Sequence, residues 1–290
     1  MSMQWTQAGG DPRKLTLYGQ LAQVQGIVSG SGRVLASINP AHHPTGALGD
    51  LTGGRETLGA GEAWLREQGC QAVQGPLEVA TWFPYRANLG PWDERPFVGE
   101  PLGSPGVWLA AGYREVARYA SALCENARAV AYGRSKKPEG LSLRPMTTFE
   151  EDLPVIHQLV LASFRDAYAY SPLPLKGMAA LYEPLQQHLV PELVLIAENS
   201  VGTPVGFVFG LPDLWAPRSG RFLVKTLAVL PEHRRGGTGA WLVGELHAVA
   251  DRMGFTHGIH ALMWQGSRSR NISQHGGRVF REYALYMKAL

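Results

Sequence analysis

The sequence predicts an α/β (α+β) protein built as two domains in tandem, and three observations carry that expectation. Apolar residues alternate at period two in some stretches and recur every three or four residues in others, so strands and helices both contribute to the core. The chain has 290 residues, more than one typical domain, which leaves room for two of about 140 residues each. One order of elements also occurs twice: strand, glycine-containing turn, helix, glycine, strand, first over residues 46–77 and again over 223–261.

Composition sets the broad class. Hydrophobic residues make up 45% and charged residues 18%, ordinary for a globular chain, and 35 Gly with 20 Pro point to many turns rather than disorder. The net charge of +3 and the lack of a dense basic run beyond Lys136 and Lys137 give no case for nucleic acid. Cys70 and Cys124 are the two cysteines, with no CxxC and no histidine at metal spacing, so neither a zinc site nor a disulfide framework is expected. His42 and His43 adjoin Pro44 in a loop, where a solvated pair is favoured over metal ligands. Residues 1–14 lack the apolar core of a signal peptide, and no uncharged apolar run reaches about 18 residues. A cytoplasmic protein with no membrane contact, monomeric or homodimeric, is the expectation.

The elements follow in order. After a polar lead, Leu15–Tyr18 and Leu21–Val28 are each short enough for a strand or a weak helix, and Arg33–Ile38 alternates as a strand. Gly46–Leu51 reads as a strand, Thr57–Gln68 as a helix with Leu58, Ala60, Ala63, Trp64 and Leu65 inward, and Gln71–Leu77 as a strand after Gly69. Residues 78–109 form a long loop rich in Pro, Gly and aromatics, read as Trp82, Phe83, Tyr85, Trp92, Phe97 and Trp108 packing the loop down or, alternatively, lining an acceptor cleft. Val116, Tyr119, Ala120 and Leu123 predict a helix over Tyr113–Glu125, followed by a strand over Ala127–Tyr132. The run GRSKKPEG, Gly133–Gly140, is the best linker, dividing a domain of residues 1–135 from one of 136–290.

In the second half, Leu141–Arg144 reads as a strand, Glu150–Ala167 and Met178–His188 as helices, and Leu193–Glu198 with Val205–Leu211 as a hairpin across Asn199–Pro204. The stretch Lys225–Gly254, KTLAVLPEHRRGGTGAWLVGELHAVADRMG, is the most informative in the chain. A mostly apolar strand ends at Pro231, RRGGTG follows, and Leu242, Val243, Leu246, Val249, Ala250 and Met253 recur at helical spacing up to Gly254. Glycines at the head of a helix let a ligand approach the main chain, and the unpaired amides and macrodipole of the first turn attract an anion such as phosphate. His257–Ala261 then reads as a strand, Ser269–Gln274 as a short helix and Val279–Met287 as the last strand.

No Lys follows Gly239, so the loop is not a Walker motif, and Leu242 stands where a dinucleotide fingerprint needs its third glycine. Arg234, Gly237 and Gly239 instead fit (Q/R)xxGx(G/A), and with the preceding KTLAVLPEHR they resemble the pyrophosphate loop and strand of the GNAT acetyltransferase family. The resemblance covers residues 141–290. It implies a central mixed, mostly antiparallel sheet flanked by helices, a last pair of strands splayed around the cofactor, and acetyl-CoA as co-substrate. It further implies that Leu227, Ala228 and Val229 hold the pantetheine arm, and that Arg234, Arg235, Gly236, Gly237, Thr238, Gly239 and Ala240 surround the phosphates. The turn TGGRETLG, Thr52–Gly59, lacks that spacing, so the first half resembles a degenerate copy of the same fold that does not bind acetyl-CoA.

The family's chemistry is direct attack of an amine, from a small molecule or a peptide, on the thioester. A main-chain N–H near Ala228 or Val229 would stabilise the oxyanion. Glu198, Asp213, Glu232, His233 and His260 are open alternatives for the base, with Glu198 put forward first. The family's thiolate usually takes a proton from a tyrosine shortly before a glycine; here Gln274 and His275 stand at that place, and Ser267 stands near the place of a customary Asn. His275, whose ordinary pKa lies near neutrality, or water is the donor expected there, with Tyr283 and Tyr286 on the last strand either catalytic or packing. An acyl-CoA-binding sensor without catalysis is the alternative function, and a nucleotide binder a third reading.

Overall fold

A computed structural model describes residues 11–92 and 95–290. In the first half, helix α1 (Pro12–Tyr18) precedes strands β1 (Gln23–Ser29), β2 (Gly32–Ile38) and β3 (Thr45–Thr52), helix α2 (Arg55–Glu67), and strands β4 (Ala72–Gly75) and β5 (Ala87–Asn88). A short helix α3 (Gly106–Ala110), strand β6 (Arg114–Glu125) and helix α4 (Asn126–Arg134) complete it. The second half runs β7 (Leu141–Pro145), α5 (Phe149–Phe164), α6 (Leu175–Tyr182), β8 (Val194–Asn199), β9 (Pro204–Pro212) and β10 (Arg221–Val229). It ends with α7 (Thr238–Arg252), β11 (His257–Trp264), α8 (Arg268–Gln274) and β12 (Gly277–Ala289).

All these strands join one mixed sheet in the order β1-β2-β3-β4-β12-β6-β11-β10-β9-β8-β7, with β5 pairing additionally to β12. The two halves exchange strands at its centre. β6, from the first half, lies between β11 and β12, while β12, from the second half, lies between β4 and β6. The parallel pairs are β3 with β4 and β10 with β11, and they stand at corresponding places on either side of the exchanged strands.

That exchange overturns two expectations. Tyr113–Glu125 was expected to be helical, yet it forms β6, because a strand covered on both faces is apolar on both and mimics helical spacing. Ala117, Tyr119 and Leu123 of β6 pack with Tyr283 and Leu285 on one face, whereas Ala122 and Cys124 pack with Met263 on the other. Ala127–Tyr132, expected to be a strand, is instead most of α4, an alanine-rich helix lying against α7. There Gly133 and Gly244 meet: a Cβ on Gly133 would come within 2.5 Å of the Gly244 Cα. Leu15–Tyr18 is helical, and in α2 the expected inward Ala63 is exposed while Gly61 and Glu62 are buried. The expected helix Met178–His188 is α6 followed by a 3₁₀ turn over Glu183–His188.

Loop residues after β4 are fastened to β12 by one buried carboxylate. Glu100 accepts from Arg281 Nε at 2.9 Å, Tyr283 Oη at 2.8 Å, Asn88 Nδ2 at 3.2 Å and the Phe97 amide at 3.2 Å. Phe83, Phe97 and Trp108 of this segment are buried. Asp213 joins it to the second half, accepting from the Val98 amide at 3.0 Å while paired with Arg221 at 2.6 Å. In the second half α5 starts at Thr148, whose hydroxyl accepts from the Glu151 amide at 3.2 Å, and three acidic residues in its first turn suit the macrodipole. α5 and α6 cover one face of the sheet and α7 the other, through separate apolar clusters.

Candidate functional site

The parallel pairing of β10 with β11 stops early. Arg221–Val224 pair with His257–His260, and beyond that point β10 keeps only its antiparallel partner β9, through Val229. Lys225 forms a bulge against β9, and β11 turns away at a second irregularity. There Leu262 adopts φ 57°, with its amide donating to Ser121 Oγ of β6 at 2.9 Å. A gap therefore opens between Lys225–Val229 and Ala261–Trp264, leaving one edge of main chain on β10 without a strand partner among the described residues. Leu227 is half-buried, and Ala228 and Val229 are buried.

The head of α7 closes one end of that gap. Gly237 sits at its N-cap with φ 87°, a left-handed conformation that glycine adopts at little cost. Trp241 N donates to Gly237 O at 3.0 Å, which makes this the first closed turn. Among the described residues no group accepts from the amides of Thr238, Gly239 or Ala240, so three donors and the positive end of the dipole are free for an anion. Gly239 lies over the gap, where a Cβ would touch Leu227 and Ile272 at 3.4 Å. Arg235 and Gly236 are exposed, and Thr238 and Ala240 are buried. Arg234 acts on the loop itself: its guanidinium donates to Val229 O at 2.9 Å and to Ser163 O at 2.8 Å, tying the loop to the ends of β10 and α5. The linker contributes a contact that sequence reading missed, since a Cβ on Gly237 would stand 2.5 Å from the carbonyl oxygen of Lys136.

Residues 153–274 match the model of the acetyltransferase (GNAT) family. This segment is a GNAT domain. Among solved structures, the whole chain resembles a GCN5-related N-acetyltransferase from Sphaerobacter thermophilus, at 16% identity and TM-score 0.55, covering 88% of this chain and 76% of that one. It also resembles a tandem GNAT protein from the clavulanic acid biosynthesis pathway, at 14% identity and TM-score 0.53, covering 93% and 83%. A third, a glucosamine N-acetyltransferase region within a fungal multi-domain β-N-acetylglucosaminidase, has 14% identity and TM-score 0.54, covering 92% of this chain and 31% of that one. No curated protein matches. These likenesses show the GNAT fold over nearly the whole chain.

In the second half the three side chains expected to be catalytic lie apart. Glu198, on β8, is ion-paired to Arg144 at 2.8 Å, and Arg144 also holds Asp152 at 2.6 Å. With β9 in between, it stands two strands away from β10. Tyr283 is fully buried under the first half's loop, and burial pushes its hydroxyl well above the usual tyrosine range. His275 is exposed at the end of α8, stacked on Tyr132 with ring centroids 3.9 Å apart. Among the alternatives, Asp213 is committed to Arg221 and Val98, and Glu232 and His233 lie in a 3₁₀ turn leading into the loop.

His260 belongs to a buried relay. Asn126 Nδ2 donates to Phe255 O at 2.7 Å, so its Oδ1 is left to accept from His247 Nδ1 at 2.8 Å. His247 Nε2 then accepts from His260 Nε2 at 2.9 Å, and His260 Nδ1 accepts from Ser273 Oγ at 2.6 Å. The link between the two rings requires at least one of them to be neutral. Burial lowers the pKa of His247 well below the ordinary value and that of His260 to about 4. The relay welds α4, α7, β11 and α8 together behind the gap, which gives His260 a structural job.

The corresponding gap of the first half is filled by its own chain. β3 and β4 pair over Thr45–Ala47 and Ala72–Gln74, after which Leu77 N donates to Leu48 O at 2.8 Å. Glu78 packs on Gly49, where a Cβ would lie 2.6 Å from Glu78 Cγ, and its carboxylate takes the Tyr18 hydroxyl proton bond and Lys14 at 3.2 Å. The first turn of α2 carries Glu56, which would repel an anion. No groups of three or more potential metal ligands occur among the described residues. Nor is any described helix long and apolar enough to cross a membrane.

Proposed function

We propose that the second half binds acetyl-CoA and transfers its acetyl group to the amine of a small molecule or peptide by direct attack. The single observation that carries this reading is the coincidence of the β10–β11 gap with the free amides at the head of α7. An extended pantetheine arm fits the unpaired edge of Lys225–Val229, and a diphosphate fits the donors at Thr238, Gly239 and Ala240. The gap brings thioester and amine together, and such alignment alone can supply roughly 7 to 11 kcal/mol of the barrier. In this reading a β10 amide near Ala228 or Val229 stabilises the oxyanion.

Glu198, Asp213, His260 and Tyr283 being committed to structural contacts, proton removal from the ammonium and protonation of the thiolate go through solvent, with Glu232 and His233 beyond β10 and His275 after α8 as the solvent-accessible titratable groups. The first half, residues 1–135, takes the role of a copy that binds no acetyl-CoA and completes the acceptor side, because Leu77, Glu78 and Glu56 occupy its equivalent positions.

Release of free thiol from acetyl-CoA, followed against a panel of amines, tests the reading. Amine-dependent thiol release is expected. Tight acetyl-CoA binding with no release for any amine would favour an acyl-CoA sensor, the reading motivated by Gln274 and His275 at the place of the family's tyrosine. Better thermal protection by ATP than by acetyl-CoA would favour a nucleotide binder.

A further inference from the structure

Arg86 is a buried charge without a counter-ion among the described residues. It follows the bridge between Leu77 and Tyr85, adopts φ 82°, and is only 7% exposed. Its guanidinium lies against two tyrosine rings, 3.7 Å from the centre of Tyr85 and 4.3 Å from that of Tyr119. Nε and Nη1 meet no hydrogen-bond acceptor among the described residues, and the only side-chain hydrogen bond to the guanidinium is a neutral one, with Tyr119. Among the described residues no carboxylate is paired with it, and the buried carboxylate of the same segment, Glu100, is bound to Arg281.

A buried cation without a counter-ion is costly, and stacking on two rings offsets only part of the cost. A strained backbone in the left-handed region adds to it. Burial accordingly lowers the guanidinium pKa to about 9. Groups kept in this condition are explained when a ligand supplies the missing charge.

The position of Arg86 says which ligand. Tyr119, beneath the guanidinium, pairs with Trp264 of β11 on one side and with Tyr283 of β12 on the other. Arg86 therefore stands one strand beyond β11, level with the stretch that has left β10. The two tyrosines that flank it belong to an apolar cluster that also holds Tyr168, on the connection between α5 and α6, and Tyr168 Oη donates to Gln74 at 3.1 Å. Two strand spacings put the guanidinium on the order of 10 Å from the middle of the gap. That is the reach of a ligand whose amine and anion are several bonds apart.

We propose that Arg86 anchors a carboxylate on the amine acceptor, so that the protein acts on amino acids whose reactive amine is several bonds from the carboxylate. The inference rests on the acyl-transfer reading, and Arg86 is a specificity-determining residue within it. Tyr85 and Tyr119 hold the guanidinium flat, and the ligand's carboxylate supplies the missing counter-charge to a buried group, where a charged pair counts for more than in water.

The test uses the full chain in the presence of CoA, with 6-acetamidohexanoate and 6-acetamidohexanamide as paired product-like probes in calorimetric titration. The corresponding 6-aminohexanoate and 6-aminohexanamide serve as acceptors. The wild type is expected to bind and use the carboxylate of each pair at least about tenfold better, the usual scale of one charge-assisted contact. Arg86→Met should erase that preference, leave the Kd for acetyl-CoA unchanged, and melt no lower than the wild type, because it removes an uncompensated charge. A structural role alone would lower Tm and leave the preference. Should Arg86→Met fail to fold, Arg86→Lys, which keeps the charge but not the planar group, should reduce the preference. Equal binding of both probes by the wild type, or a preference that survives Arg86→Met, overturns the proposal. Failure of the wild type to bind acetyl-CoA is read in a separate titration and strikes the acyl-transfer reading instead.

Discussion

Gly237 separates stability from ligand binding in a measurable way. Any L-residue at φ 87° is strained by about 1–2 kcal/mol. Its Cβ would also stand 2.5 Å from Lys136 O and 3.1 Å from Lys136 Cβ, so the linker must yield, at about 1–3 kcal/mol for such overpacking. Gly237→Ala should therefore lose about 2–5 kcal/mol in all, visible as a drop in Tm. Gly237→Asp meets the same clash but tolerates the left-handed region better, and its carboxylate can accept from Gly239 or Ala240 N, recovering about 1 kcal/mol as an N-cap. Aspartate should thus be the more stable of the two variants.

For the ligand the order reverses, because the Asp carboxylate occupies the amides that the diphosphate needs and repels it. Acetyl-CoA should bind Gly237→Asp at least about 100-fold more weakly than wild type, or about 2.7 kcal/mol, whereas alanine should lose less. Calorimetry and differential scanning on the same two variants measure both orders. An aspartate variant that binds acetyl-CoA as well as the alanine variant would refute the anion cradle.

Three further outcomes follow from the packing. His260, with its pKa lowered from 6.5 to about 4, contributes stability that is fully present above pH 6.5 and lost as pH falls toward 4. At pH 5 the loss is about 2 kcal/mol from this group, so the urea midpoint should fall between pH 7 and 5 while the His260 ring resonances do not titrate; a ring titrating near pH 6.5 would refute the relay. Glu100→Gln leaves Arg281, 2% exposed, without its counter-charge and should cost about 3–5 kcal/mol in denaturant unfolding. Gly244→Ala would raise helix propensity by about 1 kcal/mol in an open helix. Here its Cβ would lie 2.6 Å from Gly133 Cα, so the thermal midpoint should drop; a rise would refute the α4–α7 contact.

What could be read from the chain alone was local. The strand, RRGGTG loop and helix over 225–254, the hairpin of β8 and β9, and the helix at 149–164 each carry their signal within a few turns of their own residues. Periodicity, glycine and caps act over that range, and the phosphate-binding expectation arose from them. Tertiary structure decided the rest.

Tyr113–Glu125 is a strand because β11 and β12 both pair with it, although its apolar residues fit a helix as well. His247, His260 and Ser273 become one relay only when α7, β11 and α8 meet. Arg86 looks like an ordinary loop arginine until folding stacks it between Tyr85 and Tyr119 and leaves its Nε and Nη1 without acceptors. Local periodicity records which side of a residue is apolar, but not which distant strand or charge will be brought against it, and burial of a charge or sharing of a strand is set by those distant partners.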